Sequence, residues 1–318
     1  MRDEAPSCDV SFAVACYDAL PYLDAAIESA LSQAGVSVEV LVVEDHGSDA
    51  SLAHAQAWQA RDPRVRVFRT PANGGPGAAR NIAIDEMRGR WFAVLDSDDL
   101  LAPQRSRLLI DVADAHGADL IADDLVLFGE GIEEHRFLPP ELAAEGGRWI
   151  DPEFYFASTI MLGTEPNLGF LKPMIRKSAL DTSGVRYDPG LRIGEDDALI
   201  VRLLLAGLSY YLMPEPGYRY RKHGASISHR LSLANAEKML RSEHLLRADL
   251  AATGLAGRAY RRRLGSIERA VAFTHSVEAM KARKPLAALA PLLANPRAAL
   301  LYALPLKARI GRILGRGQ

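Results

Sequence analysis

Cysteine is almost missing from this chain: Cys8 and Cys16 are the two in 318 residues. That excludes a disulfide scaffold, and neither spacing nor number suits a zinc site. A reduced, cytoplasmic setting is expected. Long apolar runs are missing as well. No uninterrupted stretch reaches the roughly 20 residues of a membrane span. The nearest candidate, 285–306, is broken by Pro285, Pro291, Asn295, Pro296, Arg297 and Pro305. The opening Met1-Arg2-Asp3-Glu4-Ala5-Pro6 lacks the apolar core of a secretory signal, so export is not expected. Acidic residues stop at Glu278. The formal net charge of −2 therefore hides an asymmetry, with residues 231–318 summing to +11 and residues 1–230 to −13. A basic end on an acidic body points to a negatively charged partner, an anionic membrane or a nucleic acid.

What is present begins with Trp91-Phe92-Ala93-Val94-Leu95-Asp96-Ser97-Asp98-Asp99. Five apolar residues in a row read as a strand buried on both faces. Three carboxylates within the next four positions crowd its end, where their mutual repulsion calls for a cation. Oxygen donors favour Mg2+ or Mn2+ over zinc, and Mg2+ usually binds through one or two carboxylates plus substrate phosphates. A polar turn in which Asp99 caps the next helix is the alternative.

Strand-like and helix-like patterns alternate over the first ~125 residues. Strands are expected at 10–16, 38–43, 65–68, 91–95 and 120–122, with helices at 20–34, 49–61, 76–88 and 103–116. Such βαβα order predicts a mostly parallel, doubly wound sheet, whose ligands lie beyond the carboxyl ends of the strands. Residues 129–167 read as irregular, 195–206 as helix and 208–213 as a short strand. Beyond about 230 the chain reads as helical, rich in Ala, Leu and Arg.

Three further stretches carry chemistry. Glu44-Asp45-His46-Gly47-Ser48-Asp49 ends the second strand in a polar turn. Ser48 or Asp49 can cap the helix there, and Asp45 can accept hydrogen bonds from a nucleobase. Asn73-Gly74-Gly75-Pro76-Gly77-Ala78-Ala79-Arg80-Asn81 lets the backbone approach a ligand at a helix N-terminus, with Arg80 one turn in to meet carboxylates or a phosphate. The spacing is not the dinucleotide fingerprint. Gly194-Glu195-Asp196-Asp197 opens an amphipathic helix, where acids also favour the helix dipole.

Taken in order, Ala15-Cys16-Tyr17-Asp18-Ala19, the Glu44–Asp49 turn, the Asn73–Asn81 loop, Leu95–Asp99, Gly194–Asp197 and Tyr218-Arg219-Tyr220-Arg221-Lys222-His223-Gly224-Ala225-Ser226-Ile227-Ser228 resemble family 2 glycosyltransferases with the GT-A fold. The resemblance covers roughly residues 9–230. The block from Leu168 to Ser228, with Lys172-Pro173-Met174-Ile175-Arg176-Lys177, is most similar to bacterial exopolysaccharide glucosyltransferases of the succinoglycan type. Two departures stand out: Tyr17-Asp18 replaces the usual Tyr-Asn, and His46 is inserted in the usual Asp-Asp-Gly-Ser turn.

The resemblance implies an α/β, Rossmann-like sheet, mixed but mostly parallel, with helices on both faces. It implies a catalytic domain over 1–230, donor-binding at about 9–125 and acceptor-binding at about 126–230, then a helical basic extension over 231–318. By the same resemblance Asp96-Ser97-Asp98 is the DxD motif, with Asp98 and His223 at the cation and Asp96 at the ribose. Donor contacts are implied at Ala15, Tyr17, Asp45, Gly75, Arg80, Asp96, Ser97, Asp98, Glu195 and His223. Asp196 is implied as the general base of an inverting displacement that moves a hexose, glucose by this reading, from a UDP-sugar to a hydroxyl of a lipid-linked glycan. Trp149 and Tyr155 can stack on a sugar or pack in the core. The last 40 residues interleave Lys281, Arg283, Lys284, Arg297, Lys307, Arg309, Arg312 and Arg316 with aliphatic side chains. That mixture suits peripheral contact with the inner face of an anionic membrane, or a solvated helix packed on the catalytic domain. Nucleic acid is disfavoured, because stacking aromatics are scarce there. A nucleotidyltransferase would need a basic Gly-rich signature near Val10–Tyr17, which is lacking, and a non-catalytic nucleotide-sugar-binding protein would not need Asp98 and Asp196.

Overall fold

The computed structural model describes residues 7–163, 165–223 and 231–303. Two compact units emerge: Met1–Pro152 with Leu168–Ser226, and Glu153–Asn167 with Ile227–Gln318.

The first unit alternates as expected: β1 (Cys8–Cys16), α1 (Leu23–Leu31), β2 (Val38–Glu44), α2 (Ser51–Arg61), β3 (Val65–Arg69), α3 (Pro76–Glu86) and β4 (Gly89–Val94). Next come β5 (Leu100–Leu101), α4 (Arg105–His116), β6 (Leu120–Gly129), β7 (Ile132–Arg136), α5 (Pro140–Ala143) and β8 (Arg148–Trp149). The main path of the sheet runs β3-β2-β1-β4, then β9 (Met174–Arg176), β6, β10 (Tyr210–Arg221) and β5. Strands β1 to β4 pair in parallel, whereas β9 is antiparallel to both β4 and β6. Every residue of β2 is buried, as its unbroken Val/Leu run requires of a central strand covered on both faces. Helix α3 packs on β1 and β2 with Ala79, Ala83 and Ile84 buried, while Gly77 lies close to the backbone of Asp188. Helices α7 (Lys177–Ser183) and α8 (Glu195–Leu205) complete the unit, so α6 is kept for Pro152–Ser158.

Two stretches differ from expectation. Residues 129–167 are not uniformly irregular, because β7 pairs back on β6 through Gly129 and Gly131 at positive φ. The edge strand Ile-Glu-Glu-His-Arg has no apolar alternation to betray it. Strand β10 extends to 12 residues rather than stopping near 213. Pro214 and Pro216 break its pattern in sequence, and the ladder absorbs them as register shifts.

The second unit is helical: α6, α9 (Leu233–Leu245), α10 (Arg247–Ala252), α11 (Arg258–Lys281) and α12 (Pro285–Ala294). Buried Arg263 ties it together, donating to Glu243 Oε1 and Thr159 Oγ1 at 2.5 Å each. Tyr155 is wholly buried here, so it packs in a core and has no surface on which to stack a sugar.

Candidate active site

The expected residues gather at the carboxyl ends of β1, β2 and β4. Beyond β2, Asp45 Oδ1 accepts from Thr70 Oγ1 and Gly74 N, each at 2.7 Å, and its Oδ2 accepts from Gly75 N at 2.6 Å. A buried carboxylate thus fastens the Gly-rich loop to the sheet. Gly75 sits at φ +81, where a side chain is strained, and Pro76 starts α3 directly after it. Arg192 lies across the loop, donating to Asn73 Oδ1 at 2.6 Å and to Asn73 O at 2.8 Å. The inserted His46 takes a left-handed conformation (φ 62) with Nε2 2.8 Å from the carbonyl of Thr70, the same residue that donates to Asp45. Asp18 caps the same turn, accepting from Ser48 N at 2.5 Å and Asp49 N at 3.1 Å. Asp49 accepts from Ser51 N at 2.9 Å, but α2 starts at Ser51 with Ala50 at its N-cap and no side-chain cap bond, so neither Ser48 nor Asp49 is the cap expected from the sequence. Ala15 is half-buried at the end of β1, and Tyr17 beside it is exposed.

Helix α3 carries Arg80 into the centre of the site. Its Nη2 donates to Asp96 Oδ1 at 2.6 Å, and its Nη1 donates to Asp196 Oδ1 at 2.8 Å and Glu195 Oε1 at 2.6 Å. Lys172 closes the circle, with Nζ 2.9 Å from Asp96 Oδ2 and 2.7 Å from Asp196 Oδ2. Asp96, Arg80, Asp196 and Lys172 therefore form one ring of alternating charge. Burial alone would raise the Asp96 carboxyl, but Lys172 and Arg80 outweigh it and hold the group at about 2. Burial likewise disfavours the Lys172 ammonium, yet Asp196 and Asp96 keep it well above its ordinary value. Tyr187 adds a hydrogen bond to Asp196 Oδ1 at 3.1 Å. Those bonds use three of the roughly four lone-pair sites of the carboxylate, leaving one on Oδ2.

The other half of the DxD turn faces His223. Its Nε2 lies 2.7 Å from Asp98 Oδ2, and Ser97 stands half-exposed between the two aspartates. Burial and the neighbouring charge of Asp96 push Asp98 above the usual carboxylate range. Asp99 does not cap a helix, which corrects the capping alternative. Helix α4 starts only at Arg105, and Asp99 Oδ1 accepts from Arg221 N at 2.6 Å across the sheet. Residues 224–230 of the basic motif lie outside the described residues. Trp149 is exposed and edge-packed on Tyr211, 5.2 Å between centroids.

Among the described residues no group of three or more His, Cys, Asp or Glu side chains is arranged to hold a metal by itself. The donor set nevertheless fits a shared site. Asp96, Glu195 and Asp196 share two fixed cations, Arg80 and Lys172, which leaves negative charge in excess, and the carboxylate of Asp98 lies within the field of Asp96. Asp98 and His223 supply one carboxylate and one imidazole, and a diphosphate would have to supply further ligands.

Sequence reasoning did not assign roles to Lys172, Tyr187, Arg192 or Tyr218, whose hydroxyl accepts from Asp96 N at 3.1 Å. Each reaches the site from far along the chain, and no local spacing marks it. The run Leu171-Lys172-Pro173 offered one hint, a lysine set among otherwise apolar residues.

Residues 11–180 match the family model for Glycosyl transferase family 2. The chain is 38% identical over 315 residues to the succinoglycan biosynthesis protein ExoO of Rhizobium meliloti (strain 1021), covering 99% of this chain and 89% of that protein. It is 33% identical over 236 residues to ExoU of the same strain, covering 72% and 66%. Among solved structures, S. aureus TarS 1-349 in complex with UDP-GlcNAc superposes with a TM-score of 0.59 at 16% identity, covering 88% of this chain and 89% of that one. At such low identity TarS speaks for the fold alone, a mostly parallel mixed sheet of GT-A type. The match over more than half of the chain and the near full-length identity to ExoO carry the assignment: this chain belongs to glycosyl transferase family 2.

Proposed function

We propose that the chain is an inverting hexosyltransferase of exopolysaccharide assembly, moving glucose from a UDP-sugar to a hydroxyl of a growing, lipid-linked glycan. The charge ring around Asp196 is the observation that supports it most. A ring that fixes both carboxylate oxygens yet leaves one lone pair on Oδ2 suits a general base. In the proposed step Asp196 takes the proton of the acceptor hydroxyl. The hydroxyl oxygen bonds to the anomeric carbon from the face opposite the diphosphate, and the bond from that carbon to the diphosphate oxygen breaks. UDP departs with the electron pair. The Gly74-Gly75 loop held by Asp45 would offer backbone to the nucleotide, and Asp96 would bind the ribose. Donor contacts at Ala15, Tyr17, Ser97 and Glu195 belong to the same proposal. Arg80 is enclosed by three carboxylates, so it orients them and reaches the donor through them. Mg2+ or Mn2+ at Asp98 and His223 would offset charge on the leaving diphosphate.

Purified protein offered a panel of UDP-sugars with Mn2+ is expected to release UDP fastest from UDP-glucose, and excess EDTA should abolish release until Mn2+ is restored. Release that ignores EDTA would remove the cation from the proposal.

Peripheral contact with the inner membrane is part of the proposal. Among the described residues no helix is long and apolar enough to cross a membrane. Helix α12 exposes Leu286 (83%) and Leu293 (79%), with no charged residue inside it and exposed Lys281, Arg283, Lys284 and Arg297 on either side. An apolar face with a cationic border suits an anionic lipid surface. Lys307, Arg309, Arg312 and Arg316 lie outside the described residues. The protein is expected to float with phosphatidylglycerol liposomes and not with phosphatidylcholine, and a form ending at residue 278 should stay behind. Equal flotation of both forms would refute the membrane contact.

A further inference from the structure

A hydroxyl that attacks beside Asp196 belongs to a sugar ring that must itself be held. Three aromatic rings offer that hold. Phe170 ends a short 3-10 turn, Leu168–Phe170, in a stretch where Leu168 and Leu171 are buried. Those two leucines pin the segment to the core and leave Phe170 facing outward, 41% exposed. Its ring meets Phe137 edge-on, with centroids 6.3 Å apart at 67°, and Tyr220 at 6.3 Å and 83°. Both of these neighbours are themselves only half-buried. An isolated exposed aromatic needs no explanation, but rings in mutual edge contact at the surface form a shaped apolar patch.

Two chain segments carry both the patch and residues that hold the reacting groups. Lys172, two residues beyond Phe170, is the side chain that holds Asp196 Oδ2 at 2.7 Å. Tyr220 stands two residues beyond Tyr218 on β10 and so projects from the same face of the strand. On that face the Tyr218 hydroxyl touches Asp96 N. Arg221, the next residue, ties the strand to Asp99.

Resting on the transfer reading above, we infer that Phe170, framed by Phe137 and Tyr220, is the platform on which the acceptor's pyranose ring stacks. A pyranose with equatorial hydroxyls carries its C–H bonds on its two flat faces. Those weakly positive hydrogens meet the negative face of an aromatic ring, while the hydroxyls at the rim stay free for chemistry. A platform beside the base would present one such hydroxyl to Asp196 and exclude water from the other side of the sugar.

The test uses the full chain with UDP and Mn2+, and cellobiose as the saccharide probe, titrated by saturation-transfer NMR. Phe170→Ala should weaken cellobiose binding roughly tenfold, the weight of one lost aromatic contact. Phe170→Tyr should return it to within about twofold of wild type, as a stacking role predicts. UDP affinity should stay unchanged within about twofold in both variants, because the ring lies outside the donor contacts. Equal cellobiose binding by wild type and Phe170→Ala would overturn the platform, as would a wild-type protein that binds UDP but no cellobiose. Failure of the wild type to bind UDP would strike the transfer reading instead, and the Ala-against-Tyr comparison would still decide the platform.

Discussion

Two buried arginines in the first unit show how differently one kind of contact can be used. Arg105 grips Asp123 with Nε and Nη2, at 2.9 Å and 2.8 Å, and both side chains are wholly enclosed. One cation answers one carboxylate, and the second use of Nη2 is a backbone bond to Lys172 O at 2.6 Å. Arg80, by contrast, is shared among Asp96, Glu195 and Asp196, with Lys172 as a second cation. The first arrangement is balanced and closed; the second is overloaded with negative charge and opens to solvent at Asp96, 26% exposed. A balanced pair fixes a strand to a helix. An unbalanced ring keeps a carboxylate in place while leaving it chemistry to perform. Lys172 joins the two, its backbone carbonyl anchored by Arg105 and its ammonium placed in the ring.

The sharpest separation comes from neutralising one carboxylate in each network. Asp196→Asn should cut sugar transfer by ~10²–10⁴-fold, the usual loss on removing a general base. UDP affinity measured by calorimetry should stay within about threefold, since the amide keeps shape and most hydrogen bonds. Transfer within about threefold of wild type would show that Asp196 is only structural. Asp123→Asn should act the other way. It leaves Arg105 buried without a counter-charge, which typically costs about 3–5 kcal/mol of stability. Denaturant unfolding would read that as a lower midpoint with unchanged slope. A loss below about 1 kcal/mol would contradict the structural role assigned to the pair.

That contrast also explains what the sequence revealed. The donor half was legible because each of its parts is local. A buried apolar run ending in acids, a Gly-rich loop before a helix, and a polar turn after a strand each follow from neighbouring residues. The strand and helix alternation of residues 10–122 and the positions of Asp45, Asp96, Asp98 and Asp196 could be read that way. Lys172, Tyr187 and Tyr218 could not, because their roles arise from contacts to residues 24, 9 and 122 positions away. The full extent of β10 was hidden by Pro214 and Pro216, and β7 by its charged edge sequence. The capping alternative for Asp99 stays open in the sequence because a capping residue and a cross-sheet acceptor look alike there. Only the late start of α4 tells them apart.

The smallest expected effect fixes the lower end of the comparison. Arg107 and Asp111 pair one turn apart on α4, and each side chain is about half exposed. Water screens such a pair, and ordering two long side chains offsets most of its attraction. Asp111→Ala should therefore change unfolding free energy by no more than about 0.5 kcal/mol and leave UDP release at its wild-type rate. Helix α4 begins at Arg105, so this pair and the Arg105–Asp123 pair share one helix and differ in burial. If Asp111→Ala destabilised the protein as much as Asp123→Asn, burial would not be what separates the two. The contrast drawn between closed and open networks would then lose its physical basis. A near-silent Asp111→Ala beside a costly Asp123→Asn makes enclosure the deciding variable, and it makes the partly open ring around Asp196 the place where charge is kept for chemistry.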